Sequence, residues 1–324
     1  MWAQQLIEPG VFKQVSVPAP DPADLVAGET QLRVHGGAIC GSDLPYFAGR
    51  VSPLFADDST LAANVPGFPM HEVVGEVIAS DDPELPVGRR AVGWATRTTA
   101  MAEFTVSRSD NLMQVPDDRE TSDALTLQPL ACVVETVRLL GDLTGLRVAV
   151  LGLGPFGVLF CHVARSAGAA AVIGVDRVDR TDLAEDFQID ELVHSSGDRW
   201  AATIKDSERP DLVIEAVGHQ TATLNDAIAA LAPGGRLFYF GVPDEPFYPV
   251  AMQTVFRKGL AVSGGIVSER RRCLRQADEY LRRFPGLHQR YVTHRFLMTE
   301  AQRAFEVASV PAKGRLKVQL IVSR

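Results

Sequence analysis

Six residues near the middle of the chain, Gly152-Leu153-Gly154-Pro155-Phe156-Gly157, follow the pattern G-x-G-x-x-G. The apolar run Val148–Gly152 before them is predicted to be a strand, and the apolar residues after them are predicted to form a helix. Asp176 lies 19 residues after Gly157 and ends the next predicted strand. This combination of strand, glycine turn, helix and acidic residue is the fingerprint of a dinucleotide-binding βαβ unit. It predicts a parallel sheet covered by helices.

Each position of this motif has a chemical reason. Gly152 permits the tight turn, Gly154 lets the backbone approach a pyrophosphate, and Gly157 lets helix and strand pack closely. The unpaired N–H groups at the helix start favour phosphate. Asp176 would accept hydrogen bonds from the ribose hydroxyls and repel a 2′-phosphate, which favours NAD, while Arg177 leaves NADP open. The residues predicted to contact the cofactor here are Gly152, Gly154, Pro155, Phe156, Gly157, Asp176 and Arg177. The alternative is a glycine turn that only packs a βα unit.

The chain on either side of residue 120 shows two different patterns. The first hundred residues carry short β-type runs between Pro and Gly residues, which favours a barrel or sandwich. From Arg147 onward, apolar strands alternate with helices, which indicates a parallel sheet buried on both faces. At 324 residues the chain is about twice a typical domain length. Two domains are therefore expected.

Composition excludes several classes of protein. Hydrophobic residues make up 46% and charged residues 22%, as in ordinary globular proteins. The net charge of −8 argues against a nucleic-acid partner or an anionic membrane surface. No signal peptide is expected, and the longest uncharged apolar stretch is shorter than the roughly 20 residues of a membrane-spanning helix. The four cysteines lie far apart, so we expect no disulfide framework and a cytoplasmic protein.

Two further segments carry candidate metal ligands: Cys40-Gly41-Ser42-Asp43, and His71-Glu72 in the run that begins at Pro66. A single buried Cys or His is more often structural than a ligand. Together with the glycine turn, however, the chain resembles the zinc-dependent medium-chain dehydrogenase/reductase family, in its alcohol and polyol dehydrogenase branch. The resemblance extends over 71–77, 88–92, 128–131, 232–235 and the closing Gly314-Arg315-Leu316-Lys317-Val318.

The resemblance implies a GroES-like β-rich catalytic domain, residues 1–132 completed by 265–324, and a Rossmann domain with a doubly wound parallel sheet, residues 133–264. It implies one catalytic zinc ion in the cleft between them, bound by Cys40 and His71 with Glu72 beside the metal. Asp43 would orient His71, and Ser42 would hydrogen-bond the substrate hydroxyl and begin a proton path.

Four departures from the family pattern affect this expectation. The third ligand of the family falls on Gln128, a poor zinc donor. Either Glu72 binds the zinc, Gln128 acts through a water, or Cys132 substitutes; we favour Glu72 with a water, and loss of the zinc is the alternative. Pro45 stands where a proton-relaying His is common, and Met70 replaces a Gly and would narrow the approach. The lobe that carries a structural zinc is missing, so no structural zinc is expected.

The implied activity is that of an NAD(P)-dependent alcohol or polyol dehydrogenase acting on a secondary alcohol or ketone of the polyol, sugar or cyclitol type. The alternatives are a zinc-free NADPH-dependent quinone or enoyl-type reductase of the same superfamily, and a catalytically silent nucleotide-binding protein. The resemblance further implies a homodimer or homotetramer formed through the edge strand at 260–264. It also implies cofactor contacts at Val217, Gly218, Gly241, Val242 and Lys317, or Arg315 beside it.

Overall fold

The computed structural model describes residues 1–50 and 65–323, which divide into two compact units. The first unit contains Met1–Ala131, Ser268–Val310 and Arg315–Arg324, and the second contains Cys132–Val267 and Pro311–Gly314. The short segment Pro311–Gly314, which belongs to the second unit, is an addition that the sequence did not indicate.

The first part of the first unit is rich in strands. Its elements are β1 (Trp2–Glu8), β2 (Val11–Ser16), β3 (Glu29–Ala38), α1 (Leu44–Phe47), β4 (Glu72–Ser80), β5 (Arg90–Trp94), β6 (Phe104–Arg108) and β7 (Leu112–Val115). The long helix α2 (Thr121–Leu140) follows, as its polar start at Thr121-Ser122-Asp123 and the glycine at 141 predicted.

The second unit alternates strands with helices. Its elements are β8 (Arg147–Leu151), α3 (Pro155–Ser166), β9 (Ala171–Asp176), β10 (Glu191–His194), α4 (Gly197–Thr203), β11 (Leu212–Glu215), α5 (Ala222–Ala230), β12 (Arg236–Tyr239), α6 (Met252–Lys258) and β13 (Ala261–Gly264). The six strands are parallel and lie in the order β10-β9-β8-β11-β12-β13. Chain order reverses between β8 and β11, the point where such sheets bind ligands.

The chain then returns to the first unit with α7 (Arg270–Arg283), α8 (Leu287–Tyr291), β14 (Val292–Leu297), α9 (Ala301–Ser309) and β15 (Lys317–Ile321). The larger sheet of this unit has the order β14-β15-β3-β4-β5-β7, and β6 also pairs with β3. Because β15 pairs antiparallel with β3, the two ends of the chain share one sheet.

The apolar residues of each unit form their own core. In the first unit the core includes Leu32, Val73 and Phe305, and in the second it includes Ala149, Val213 and Leu237. The central strands of the second unit are apolar on both faces because helices cover both sides of a parallel sheet. The predicted fold class, a GroES-like β-rich part with a Rossmann parallel sheet, is confirmed. Within the described ranges, no helix is both long and apolar enough to cross a membrane.

Candidate active site

Cys40, His71 and Glu72 lie together in the first unit. Their ligand atoms are all within 4.8 Å of one another. The register of the sheet explains this, because β3 and β4 are antiparallel with Ala38 opposite Glu72. The residue two places beyond the end of β3 therefore lies next to the residue that precedes β4. The two segments singled out in the sequence, 31 positions apart, are brought together by one pair of strands.

Asp43 fixes the orientation of two of these residues. Its Oδ1 lies 3.0 Å from His71 Nδ1, and its Oδ2 accepts a hydrogen bond of 2.8 Å from the backbone N–H of Cys40. Burial alone would lower the pKa of His71, but the charge and hydrogen bond of Asp43, helped by Cys40, raise that pKa well above its ordinary value. With Nδ1 directed at Asp43, Nε2 remains as the nitrogen available to a metal.

Lys317 is the residue of this site whose role differs from the prediction. The family resemblance implies that Lys317, or Arg315 beside it, contacts the cofactor, but Lys317 Nζ donates to Glu72 Oε1 in a short hydrogen bond. Lys317 is 1% exposed and Glu72 is fully buried. In the sheet, Gln319 is opposite Ala38 and Ala38 is opposite Glu72, so Lys317 extends from the same face as Glu72. Lys317 therefore belongs with Cys40, His71 and Glu72, and its ammonium is not available to a phosphate.

Burial raises the pKa of Glu72, although the charges of Lys317 and His71 act in the opposite direction. Its second oxygen, Oε2, is buried and has no hydrogen-bond partner within the part of the chain that the structure describes. A buried carboxylate oxygen without a partner is unfavourable, since it has lost its hydration. An incoming cation would satisfy it.

The donor set fits a metal ion of the zinc type. A thiolate, an imidazole and a carboxylate are zinc ligands, and three protein ligands with an open fourth position are typical of catalytic zinc. Gln128, on α2, is 1% exposed, and its Oε1 has no partner among the described residues. That orphaned amide oxygen keeps Gln128 a candidate for a contact through a water. Cys132 is half-buried and forms no disulfide.

The neighbouring positions are also defined. Ser42 is half-buried in the turn between Cys40 and Asp43. Pro45 lies in the first turn of α1. Met70 is fully buried in the core of the first unit, where it covers Gly37. The bulk of Met70 thus fills the interior, and the expectation that it narrows an approach is not supported.

The glycine turn of the second unit has the predicted geometry. It connects β8 to α3, whose first residue is Pro155. A Cβ on Gly157 would lie 1.8 Å from the carbonyl oxygen of Gly152, so only glycine permits this approach of helix and strand. A Cβ on Gly154 would meet nothing within 4 Å in the described residues, so the surface above it is open. The structure therefore leaves room for a ligand at the start of α3.

Asp176, the last residue of β9, is hydrogen-bonded to the glycine turn. Its Oδ2 accepts from the backbone N–H of Leu153 at 2.7 Å, and its Oδ1 accepts from that of Val178 at 2.8 Å. Arg177 beside it is exposed. Sequence reasoning missed Arg180, which is 2% exposed, donates to the carbonyl of Ala312 and has Nε 4.0 Å from Asp176 Oδ2. Its position four residues after Asp176 was the only available signal.

The remaining predicted cofactor contacts lie in two adjacent loops. Val217 and Gly218 follow β11, and Gly241 and Val242 follow β12. Both loops leave the carboxyl ends of neighbouring parallel strands, which is where ligands bind in sheets of this kind. Sequence reasoning missed Glu215, a buried carboxylate at the end of β11 that accepts from the N–H groups of Val217 and Gly218.

Comparison with known proteins identifies the family to which the chain is similar. The family model for the alcohol dehydrogenase GroES-like domain matches residues 26–117, and that for zinc-binding dehydrogenases matches residues 155–282. L-threonine 3-dehydrogenase of Bacillus licheniformis is 26% identical over 327 residues, which cover 93% of this chain and 92% of the relative. L-threonine 3-dehydrogenase of Anaeromyxobacter dehalogenans is 26% identical over 349 residues, covering 98% and 97%.

Solved structures agree as well. The alcohol dehydrogenase TADH from Thermus sp. ATN1 is 25% identical, covers 100% of both chains and has a TM-score of 0.83. The 2R,3R-butanediol dehydrogenase from Bacillus subtilis, at 18% identity, covers 99% of each chain with a TM-score of 0.78 and supports the fold. On the strength of the two family matches, the full-length relatives and the shared fold, the chain belongs to the zinc-dependent medium-chain dehydrogenase/reductase family and is an alcohol or polyol dehydrogenase that uses NAD(P).

Proposed function

We propose that this enzyme oxidises a secondary alcohol of the polyol, sugar or cyclitol type with NAD, or reduces the corresponding ketone. The observation that carries the proposal is the cluster of Cys40, His71 and Glu72, with Asp43 bound to two of its members. The names of the L-threonine 3-dehydrogenases and of the Thermus alcohol dehydrogenase support hydride transfer at a carbon that bears a hydroxyl.

Each residue of the cluster has a defined task. Cys40, His71 and Glu72 would hold one catalytic zinc ion, with a water completing the set and Gln128 contacting that water. When bound, zinc supplies Lewis-acid chemistry. Asp43 keeps the His71 ring in one orientation. Ser42, half-buried beside Cys40, would accept the proton of the substrate hydroxyl. Pro45 has no side-chain group that could relay this proton further.

The second unit binds the dinucleotide. The start of α3 receives the pyrophosphate, and the loops at Val217-Gly218 and Gly241-Val242 contact the rest of the cofactor. Asp176 supports NAD because its carboxylate, fixed by Leu153 and Val178, would accept from ribose hydroxyls and repel a 2′-phosphate. Arg177, which is exposed next to Asp176, is the residue that would bind the 2′-phosphate of NADP.

We further propose a homodimer or homotetramer formed through β13. This strand ends the order of its sheet, and all four of its residues are exposed. Val262 on this strand is an exposed apolar side chain, as are Phe256 on α6 before it and Ile266 after it in the chain. An exposed sheet edge with apolar neighbours favours pairing with a second chain. A reducing, cytoplasmic location is also proposed, since none of the four cysteines forms a disulfide and Cys40 must be a thiolate to bind zinc.

A zinc-free reductase of the same superfamily is a second candidate. The observation that favours it is Lys317, because its ammonium neutralises Glu72 without any metal. The third alternative, a catalytically silent nucleotide-binding protein, has no specific observation in its favour beyond the neutral Gln128.

Metal analysis and one substitution test these proposals. The purified enzyme should contain about one zinc per chain. Cys40→Ser should remove both the zinc and turnover on a panel of secondary alcohols and polyols, while NADH binding stays nearly unchanged. The matched control is Cys273→Ala, which removes a buried thiol on α7. This variant should keep both the zinc and the turnover. Turnover retained by Cys40→Ser would refute the zinc assignment, and NADH binding without turnover in the parent enzyme would favour the silent alternative.

A further inference from the structure

The two loops that follow β11 and β12 are joined through His219. Its backbone N–H donates to the carbonyl of Val242 at 2.7 Å, and its Nδ1 lies 2.6 Å from Asp244 Oδ1. These two contacts are here called the loop bracket. His219 lies 23 positions before Val242 and 25 positions before Asp244. His219 directly follows the predicted cofactor contact Gly218, Val242 is itself such a contact, and Asp244 lies two residues after Val242.

The structure beneath the bracket holds the loops at one spacing. A Cβ on Gly241 would lie 2.2 Å from the backbone nitrogen of Gly218, so the loops touch where they leave the sheet. Glu215 anchors the first loop through the N–H groups of Val217 and Gly218. Asp244 is itself held, because its backbone N–H donates to the hydroxyl of Tyr248 at 2.7 Å.

His219 adopts a backbone conformation that needs such support. Its φ is +55°, in the left-handed region that non-glycine residues seldom occupy. A residue stays in that region only when its surroundings impose it, and such positions cluster at ligand sites. For His219, the contacts that impose the conformation are the two members of the loop bracket.

We propose that His219 and Asp244 are positioning residues for the dinucleotide, and that they set the spacing of its two contact loops before it binds. This inference depends on the proposed function, which places Val217, Gly218, Gly241 and Val242 against the cofactor. A site held in its bound conformation loses less entropy when the ligand arrives and therefore binds it more tightly. Neither side chain takes part in the chemical step.

Three substitutions test the bracket. Asp244→Ala removes the acceptor, and His219→Asn removes the ring while asparagine tolerates the left-handed conformation. Each should raise the Kd for NADH, measured by fluorescence titration, and the KM for NAD by about tenfold. The kcat at saturating NAD and the KM for the alcohol should stay within about twofold. Asp244→Asn keeps a hydrogen-bond acceptor and should recover most of the loss.

The double variant Asp244→Ala/His219→Asn shows whether the two residues act through the contact between them or contribute independently to NADH affinity. If the pair acts as one unit, the double variant should bind NADH about as tightly as either single variant. His288→Asn is the control, because His288 also faces a carboxylate, that of Asp123 at 3.3 Å, but on the first unit. It should leave the Kd for NADH unchanged. Thermal unfolding checks that each variant is folded. If His219→Asn does not fold, the NADH affinity of Asp244→Ala by itself decides the test.

A Kd for NADH that changes less than about twofold in the single variants would overturn the proposal, and so would effects that multiply in the double variant. A fall in kcat without a change in NAD affinity would also contradict it. Failure of the parent enzyme to bind NADH would instead refute the proposed function.

Discussion

At the scale of single residues, the site depends on one pair of buried charges. Lys317 and Glu72 are 1% and 0% exposed, and they neutralise each other although 245 positions separate them in the chain. A buried charge that loses its partner costs several kcal/mol, because nothing replaces its lost hydration. Burial raises the pKa of Glu72, and the charge of Lys317 opposes that rise. Because Lys317 occupies Oε1, Oε2 of Glu72 is left for a cation.

Replacing this lysine should show whether a metal shares Glu72. Lys317→Met leaves the carboxylate unpaired, and we expect the metal-free enzyme to lose about 3–5 kcal/mol of unfolding free energy in urea. With zinc added the loss should be clearly smaller, since the ion supplies the missing positive charge. Lys313→Met, which breaks an exposed pair with Asp179, is the control and should cost less than about 1 kcal/mol. Equal losses with and without zinc would exclude Glu72 from the ligands.

Asp176 is expected to decide the choice between NAD and NADP. Asp176→Ser removes the carboxylate that accepts from ribose hydroxyls and repels a 2′-phosphate. We expect the ratio of kcat/KM for NAD to that for NADP to fall about a hundredfold, as befits loss of charge-assisted hydrogen bonds. Asp179→Ser, on the same loop, should leave the ratio near its original value. A ratio that does not respond to Asp176→Ser would show that specificity lies elsewhere, with Arg177 the next residue to test.

At the scale of elements, helix α3 combines the cofactor site with a buried titratable group. His162, on α3, is 4% exposed, and its burial lowers its pKa to about 4. Its Nε2 lies 3.1 Å from the side-chain nitrogen of Gln188. The unfolded chain takes up a proton at this residue near pH 6.5, whereas the folded chain does so only near its lowered pKa. Folding stability from this residue is therefore lost as the pH falls between those two values.

The size of this effect follows from linkage. Between pH 7 and pH 5, protonation of His162 in the unfolded chain should lower the free energy of unfolding by about 2 kcal/mol. His162→Phe removes the ionisable group at similar size and should lose less stability over the same range. Urea unfolding of both proteins at the two pH values measures the difference. Parallel losses in the two proteins would assign the acid sensitivity to other groups.

The elements that could be predicted are those with strong local patterns. The strand predicted over 148–152 agrees with β8 to within one residue, and the helix predicted after the glycine turn agrees with α3. Strand β9 ends at Asp176, as predicted. The sequence patterns did not predict the strands β1, β2, β7, β14 and β15 or the helices α1, α4, α6, α8 and α9. Strand β2 and helix α6 bury no residue. Without a buried face they lack the hydrophobic period on which such prediction depends.

At the scale of the whole molecule, the free edge of the second unit predicts self-association. The enzyme should sediment as a dimer or tetramer at micromolar concentration, because pairing at β13 would cover apolar side chains that water now contacts. Val262→Asp places a charge on that edge and should shift the enzyme to monomers. Val26→Asp, at an exposed position of the first unit, is the control and should keep the oligomer. A monomer for the parent enzyme would refute the proposed contact.

The sequence by itself determined the Rossmann fold and the nucleotide turn, because the signals for these lie within short stretches of chain. It indicated Cys40 and His71 as candidate ligands only through the resemblance to the family. Only the tertiary structure decided the partner of Lys317, the buried surroundings of Met70 and the contact between His219 and Asp244. The physical reason is that a charge or a ring interacts with whatever the strand register brings near it. That register is set by packing over the whole unit. Residues distant in sequence therefore come into contact although no local sequence pattern predicts the contact.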